Sequence, residues 1–123
     1  MFSPQVGFIL LFVTDPVKSA EFYTHIFDIK PIALSPTFAL FALSNGIKLG
    51  LWSRYTAEPR VEAMPGAMEI CFPCDTIDSL YELWNKKGVT IGQKPTHMDF
   101  GYTFVALDPD SHRIRIYTSK EKN

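Results

Sequence analysis

Apolar residues run almost unbroken from Val6 to Thr14 (VGFILLFVT), and many are β-branched or aromatic. A run of that length, halted by Asp15-Pro16, predicts a buried strand. Asp15 predicts a helix N-cap, and Pro16 suits the first helical position, where a missing N–H is no loss. Val17, Ala20, Tyr23 and Phe27 then recur at helical spacing, predicting an amphipathic helix from about Asp15 to Asp28. Lys30 to Ser35, Thr37 to Leu43 and Ile47 to Ser53 read as three short strands. Pro36 separates the first two, and Asn45-Gly46 is a strong hairpin turn. Tyr55 to Gly66 holds two prolines and mixed charges and reads as a linker or lid.

The pattern then returns. Ala67 to Cys74 predicts a strand, and Asp75 a cap. Ile77, Leu80, Tyr81 and Trp84 mark a helical face. Lys86-Lys87-Gly88 closes that helix with cations and a C′ glycine. Val89 to Ile91 reads as a short strand, Gln93 to Phe100 as a loop, and Gly101 to Leu107 and Arg113 to Thr118 as strands. The turn Asp108-Pro109-Asp110-Ser111-His112 joins the last two. The element order is βαβββ, linker, βαβββ. Asp15, Val17 and Ser19 recur 60 residues on as Asp75, Ile77 and Ser79. Each half has one helix and too little sheet to bury alone. The reading is therefore a single α+β domain over 1–123, with modules at about 5–54 and 67–119, whose strands form a cupped mixed sheet.

Composition narrows the function. With 123 residues, 46% hydrophobic and 20% charged, the chain is neither disordered nor too small for its own core. Twelve basic residues against 13 acidic ones leave a net charge of −1, which disfavours nucleic-acid binding. No apolar run is long enough to span a bilayer, the N-terminus lacks a basic signal-peptide region, and two cysteines make no disulfide framework. A reducing cytoplasm is the expectation. Cys71-Phe72-Pro73-Cys74 has redox spacing, but on a strand it turns the two thiols to opposite faces. His25 and His112 read as solvated surface residues, and His97 as a loop residue that could border a pocket mouth.

Two segments carry a family resemblance. Val13-Thr14-Asp15-Pro16-Val17-Lys18-Ser19-Ala20-Glu21-Phe22-Tyr23 is similar to a V-x-D-x-x-x-S-x-x-F-Y motif. Asp108-Pro109-Asp110-Ser111-His112-Arg113-Ile114-Arg115 is similar to D-P-D-G-N-x-I-E. With Asp75 to Leu83 between them, they make nearly the whole chain resemble the vicinal oxygen chelate superfamily. That superfamily includes glyoxalase I, extradiol dioxygenases and bleomycin-resistance proteins. Ile47 to Ser53 and Phe100-Gly101-Tyr102-Thr103-Phe104 resemble its antibiotic-binding members, those against phenazines in particular.

The resemblance implies where a divalent metal would sit in the enzymes, and those positions are altered here. They fall on Phe8, Gly50, Glu69 and Arg115, the third being Met68 if the plain 60-residue repeat is followed. Phe8 and Gly50 offer no ligand atom, and Arg115 is a permanent cation. One carboxylate does not make a zinc or iron site. The expectation is a cup without metal or other cofactor. Gly50 would leave open space, with Trp52 beside it on the same face. Phe8 and Tyr117 would add flat apolar surface, with Cys71 on the face of Glu69. Phe100 and Tyr102 would cap the mouth. Either Phe38 or Phe41 joins the lining, since a spacing of three puts them on opposite faces. Glu69 and Arg115 are expected to point inward from strands that face each other.

The function so implied is metal-free sequestration of a planar aromatic compound, such as an antibiotic, by a homodimer, with no nucleic-acid or membrane partner. Two alternatives stand beside it. One is a glyoxalase-like lyase or isomerase; the other is a structural or regulatory dimer with a filled cavity.

Overall fold

Asp15 acts as the sequence suggests. Its Oδ1 accepts from the backbone N–H of Val17 at 3.1 Å and of Lys18 at 3.3 Å, satisfying two otherwise unpaired donors of the first turn. This capped helix belongs to the computed structural model of the chain, which describes residues 2–119. Met1 and residues 120–123, the ends of the range read as one domain, lie outside the described residues. The elements are β1 (Phe8–Val13), α1 (Pro16–Phe27), β2 (Ala33–Leu34), β3 (Phe38–Ala42), β4 (Lys48–Ser53), β5 (Glu69–Pro73), α2 (Ile77–Lys86), β6 (Thr90–Met98), β7 (Gly101–Leu107) and β8 (Arg113–Thr118). The fold class is α+β, two βαβββ units in tandem, and the chain divides between Ala63 and Met64. No helix among the described residues is long and apolar enough to cross a membrane.

The first unit has a four-stranded mixed sheet ordered β1-β4-β3-β2, with β1 parallel to β4 and the other pairs antiparallel. Strand alternation gives it two faces. Leu11, Val13, Ala39, Phe41, Leu49 and Leu51 occupy one, all fully buried. They pack under α1, whose inward stripe is Ser19, Ala20, Tyr23 and Ile26. The second face carries Phe8, Leu10, Phe12, Ala33, Phe38, Leu40, Ala42, Lys48, Gly50 and Trp52, and no helix of the unit covers it.

The second unit repeats the plan in the order β5-β8-β7-β6, with β5 parallel to β8. Ile70, Ile114, Ile116 and Phe104 are buried on the face beneath α2, where Tyr81 and Trp84 each meet the Phe104 ring edge-on at 5.6 Å. Gly88, just past the α2 C-cap Lys87, takes φ +81, as a C′ glycine should.

Three local expectations are corrected. The N-cap of α2 is Thr76 rather than Asp75, and it makes no side-chain cap bond. The strand read as Lys30 to Ser35 shrinks to two residues at the sheet edge. Most consequentially, Gln93 to Phe100 is not a loop: β6 runs to Met98 and pairs with β7 throughout. Register shifts between Ile91 and Gln93 and between Gln93 and Thr96 accommodate Gly92 and Pro95, two residues that weaken a regular strand.

The α1 cap yields a direct test. Asp15→Ala should lower stability by about 1 kcal/mol, seen as a lower urea midpoint at unchanged slope. An unchanged midpoint would mean that α1 is held by packing alone.

Candidate functional site

The face of the first sheet turned away from α1 is concave and, Lys48 apart, apolar. Phe8, Leu10, Phe38 and Trp52 wall a space of about 420 Å³. β1 and β4 run parallel in the register Phe8↔Lys48, Leu10↔Gly50 and Phe12↔Trp52, and β3 places Phe38 beside Trp52. Three strands thus deliver the wall from positions far apart in sequence. The Phe38 and Trp52 rings meet edge-to-face at 6.5 Å, and Phe12 lies behind Trp52 at 6.2 Å. Phe8 is 52% exposed and Leu10 36%, unusually open for large apolar residues on a three-strand surface.

Gly50 does not leave the open space expected of it. A Cβ built there would run into the Leu10 side chain and sit 3.3 Å from the Phe38 ring. Gly50 is buried beneath these two residues, so its missing side chain lets them close over the sheet and form the floor of the concavity. Leu10 and Phe38 are the wall residues that sequence reasoning missed or left open. Period-two alternation from Phe8 pointed to Leu10. Phe41 goes to the core under α1, where it meets Tyr23 at 6.4 Å.

In the second unit, Arg115 organises the face opposite α2. Its Nε donates to Glu69 Oε1 at 2.9 Å, and its Nη1 to Gln93 Oε1 and Thr103 Oγ1, both at 3.1 Å. Arg113 joins from the other side, with Nη2 at 3.0 Å from the same Glu69 oxygen. β5 and β8 are neighbours in one sheet, so Glu69 and Arg115 meet along it rather than across a gap between facing strands. Phe100 lies under the guanidinium, 5.7 Å from ring centroid to Cζ, at the β6–β7 turn. Cys71 and Tyr117 share this face by alternation, Cys71 pairing in register with Arg115 and Tyr117 with Thr103. Partial desolvation, and then the Glu69 carboxylate, push the Cys71 thiol above its ordinary range, with Arg115 and Arg113 pulling the other way. A thiol so held is a poor nucleophile at neutral pH.

Tyr102, expected at the cavity mouth, lies on the opposite face. It is buried, its hydroxyl donates to Asp78 Oδ1 on α2 at 2.7 Å, and its ring packs 4.5 Å from His97. His112, expected on the surface, is also buried; its Nδ1 accepts the Gly66 N–H at 3.3 Å, tying the end of the linker to the β7–β8 turn. Gln93 and Thr103 were not singled out in the sequence. Thr103, fully buried in the otherwise apolar strand β7, was the available signal.

The positions where metal-dependent relatives would hold an ion do not fit one. Phe8 and Gly50 present carbon or nothing, Glu69 Oε1 is bound by two guanidinium groups, and Arg115 is one of these. The Met68 backbone carbonyl accepts the Arg113 backbone N–H at 3.2 Å. No cluster of three or more His, Cys, Asp or Glu able to hold a metal occurs among the described residues.

Two βαβββ units in tandem, each with one helix on a four-stranded mixed sheet, are the architecture of a known class. The chain belongs to the Glyoxalase/Bleomycin resistance protein/Dioxygenase superfamily, which residues 5–116 match. Among its relatives is the phenazine antibiotic resistance protein EhpR of Enterobacter agglomerans, 30% identical over 113 residues, spanning 87% of this chain and 86% of that one. An Agrobacterium tumefaciens protein solved in solution by NMR is 43% identical with a TM-score of 0.84, covering 94% of this chain and 98% of its own. A glyoxalase-related enzyme from Fulvimarina pelagi shares the fold at 23% identity and TM-score 0.80, over 94% of this chain and 88% of its own.

Proposed function

We propose that this protein is a cytoplasmic, homodimeric binding protein that sequesters a planar aromatic small molecule, an antibiotic of the phenazine kind being the leading candidate. It would act stoichiometrically and without a metal. The observation that carries this reading is the concavity of Phe8, Leu10, Phe38 and Trp52, whose 420 Å³ falls in the range of small-molecule pockets. Such a wall offers burial and ring stacking. The kinship with EhpR, a phenazine antibiotic resistance protein by name, supports the choice of ligand.

Native mass spectrometry of the purified protein, followed by titration with phenazines and other planar aromatics, tests it. Expected are a dimer mass, a bound or titratable aromatic at one per chain, and no stoichiometric metal. Zinc, nickel, manganese or iron at one per chain would overturn the metal-free part. Failure of every planar aromatic would overturn the rest.

A further inference from the structure

Resting on that reading of the cavity, we propose that its ligand is an aromatic acid and that Lys48 is the residue that selects the acid group. The register puts Lys48 on the concave face, in line with Phe8 on one side and Ala42 on the other. It is the sole ionisable residue in the rows that make this face, the others being Phe8, Leu10, Phe12, Ala33, Phe38, Leu40, Ala42, Gly50 and Trp52. Its Nζ lies 5.8 Å from the centroid of the Phe8 ring, a wall of the cavity. None of the ion pairs Arg60–Glu62, Arg113–Glu69 and Arg115–Glu69 includes Lys48.

The usual reasons for a lysine in a sheet do not apply. A lysine guarding an exposed edge sits on an edge strand, but β4 lies between β1 and β3. A lysine pairing across strands faces a carboxylate, and here it faces a phenyl ring and a methyl group. Lys48 is partly buried, and its ammonium rests against a phenyl ring rather than a carboxylate. An arriving carboxylate would complete it with a charge-assisted bond. The spacing suits a fused-ring ligand: Lys48 and Trp52 are four residues apart on β4, about 13 Å at strand rise. Rings over Leu10 and against Trp52 leave an acid group at the Phe8 end, beside Lys48.

The test uses the intact protein and an isosteric probe pair, 2-naphthoate and 2-naphthamide, titrated by calorimetry into wild type, Lys48→Met and Lys48→Arg. Wild type should prefer the acid by about tenfold, the size of one partly solvated charge-assisted bond. Added salt should shrink that preference. Lys48→Met should abolish it while leaving the amide affinity in place, and Lys48→Arg should keep most of it. Equal binding of the two probes to wild type would overturn the acid selection and leave the aromatic cavity standing. A preference that survives in Lys48→Met would overturn the role of Lys48. Binding of neither probe would overturn this inference, and the phenazine titration would then decide the proposed function by itself.

Discussion

Arg115→Ala should lower the stability of the second unit by about 2 kcal/mol, the largest loss expected from any polar side chain in it. Arg115 is 11% exposed and serves three acceptors on three strands: Glu69 on β5, Gln93 on β6 and Thr103 on β7. Its removal strands those acceptors and takes a long apolar stem out of contact with Phe100. Orphaning a fully buried charge would cost about 3–5 kcal/mol. Here the loss is smaller because Glu69 is 29% exposed and keeps Arg113 at 3.0 Å. Arg113 is itself 49% exposed, so Arg113→Ala should cost well under about 1 kcal/mol. Trp84 lies in this unit against Phe104, so in a Trp52→Phe background its fluorescence reports the unfolding. A urea midpoint that Arg115→Ala leaves unchanged would show that the network adds nothing to stability.

That network also shows where reading the sequence stops. The charged pair was legible because the terminal motif resembles a family's metal-binding strand and so fixes the face of Arg115. Gln93 and Thr103 were not, because their contribution depends on the β6–β7 and β7–β8 registers. Gly92 and Pro95 hid β6. Each weakens a strand locally, yet both sit where register shifts relieve them of ladder duties. Tyr102 failed for a related reason. Its row in β7 follows from pairing Tyr102 with Thr118, a partner 16 residues away, and that pairing turns the ring toward α2.

In the first unit the local rules sufficed for more of the structure. An apolar run, the Asp15-Pro16 cap and the Asn45-Gly46 turn place β1, α1 and β4, because each is a short-range signal. Gly46 takes the positive φ of +86 that such a turn favours, and Asn45 Oδ1 accepts the Ile47 N–H at 3.3 Å. Which of Phe38 and Phe41 faces outward could not be read, since parity along a strand is silent about which face the helix covers. Nor could the sequence say what fills the space above Gly50. The answer is Leu10 and Phe38, contributed by two other strands.

Trp52→Ala should weaken binding of the aromatic ligand by about thirtyfold, or about 2 kcal/mol. Trp52 stands at the end of the concavity with Phe38 edge-on to it and Phe12 behind, so its ring is braced on two sides while remaining partly open. A braced, half-buried indole loses little freedom when a flat ligand stacks on it, and most of the burial gain appears as affinity. Stability should change far less than binding, because the core of this unit lies on the other face, under α1. Trp52→Phe, which keeps a flat ring, should retain most of the affinity. It should also remove most of the fluorescence quench that the ligand causes, since the remaining Trp84 is 2% exposed against Phe104. Persistence of the quench in Trp52→Phe, or unfolding of the first unit in Trp52→Ala, would make Trp52 a core residue and remove the wall on which the binding site is built.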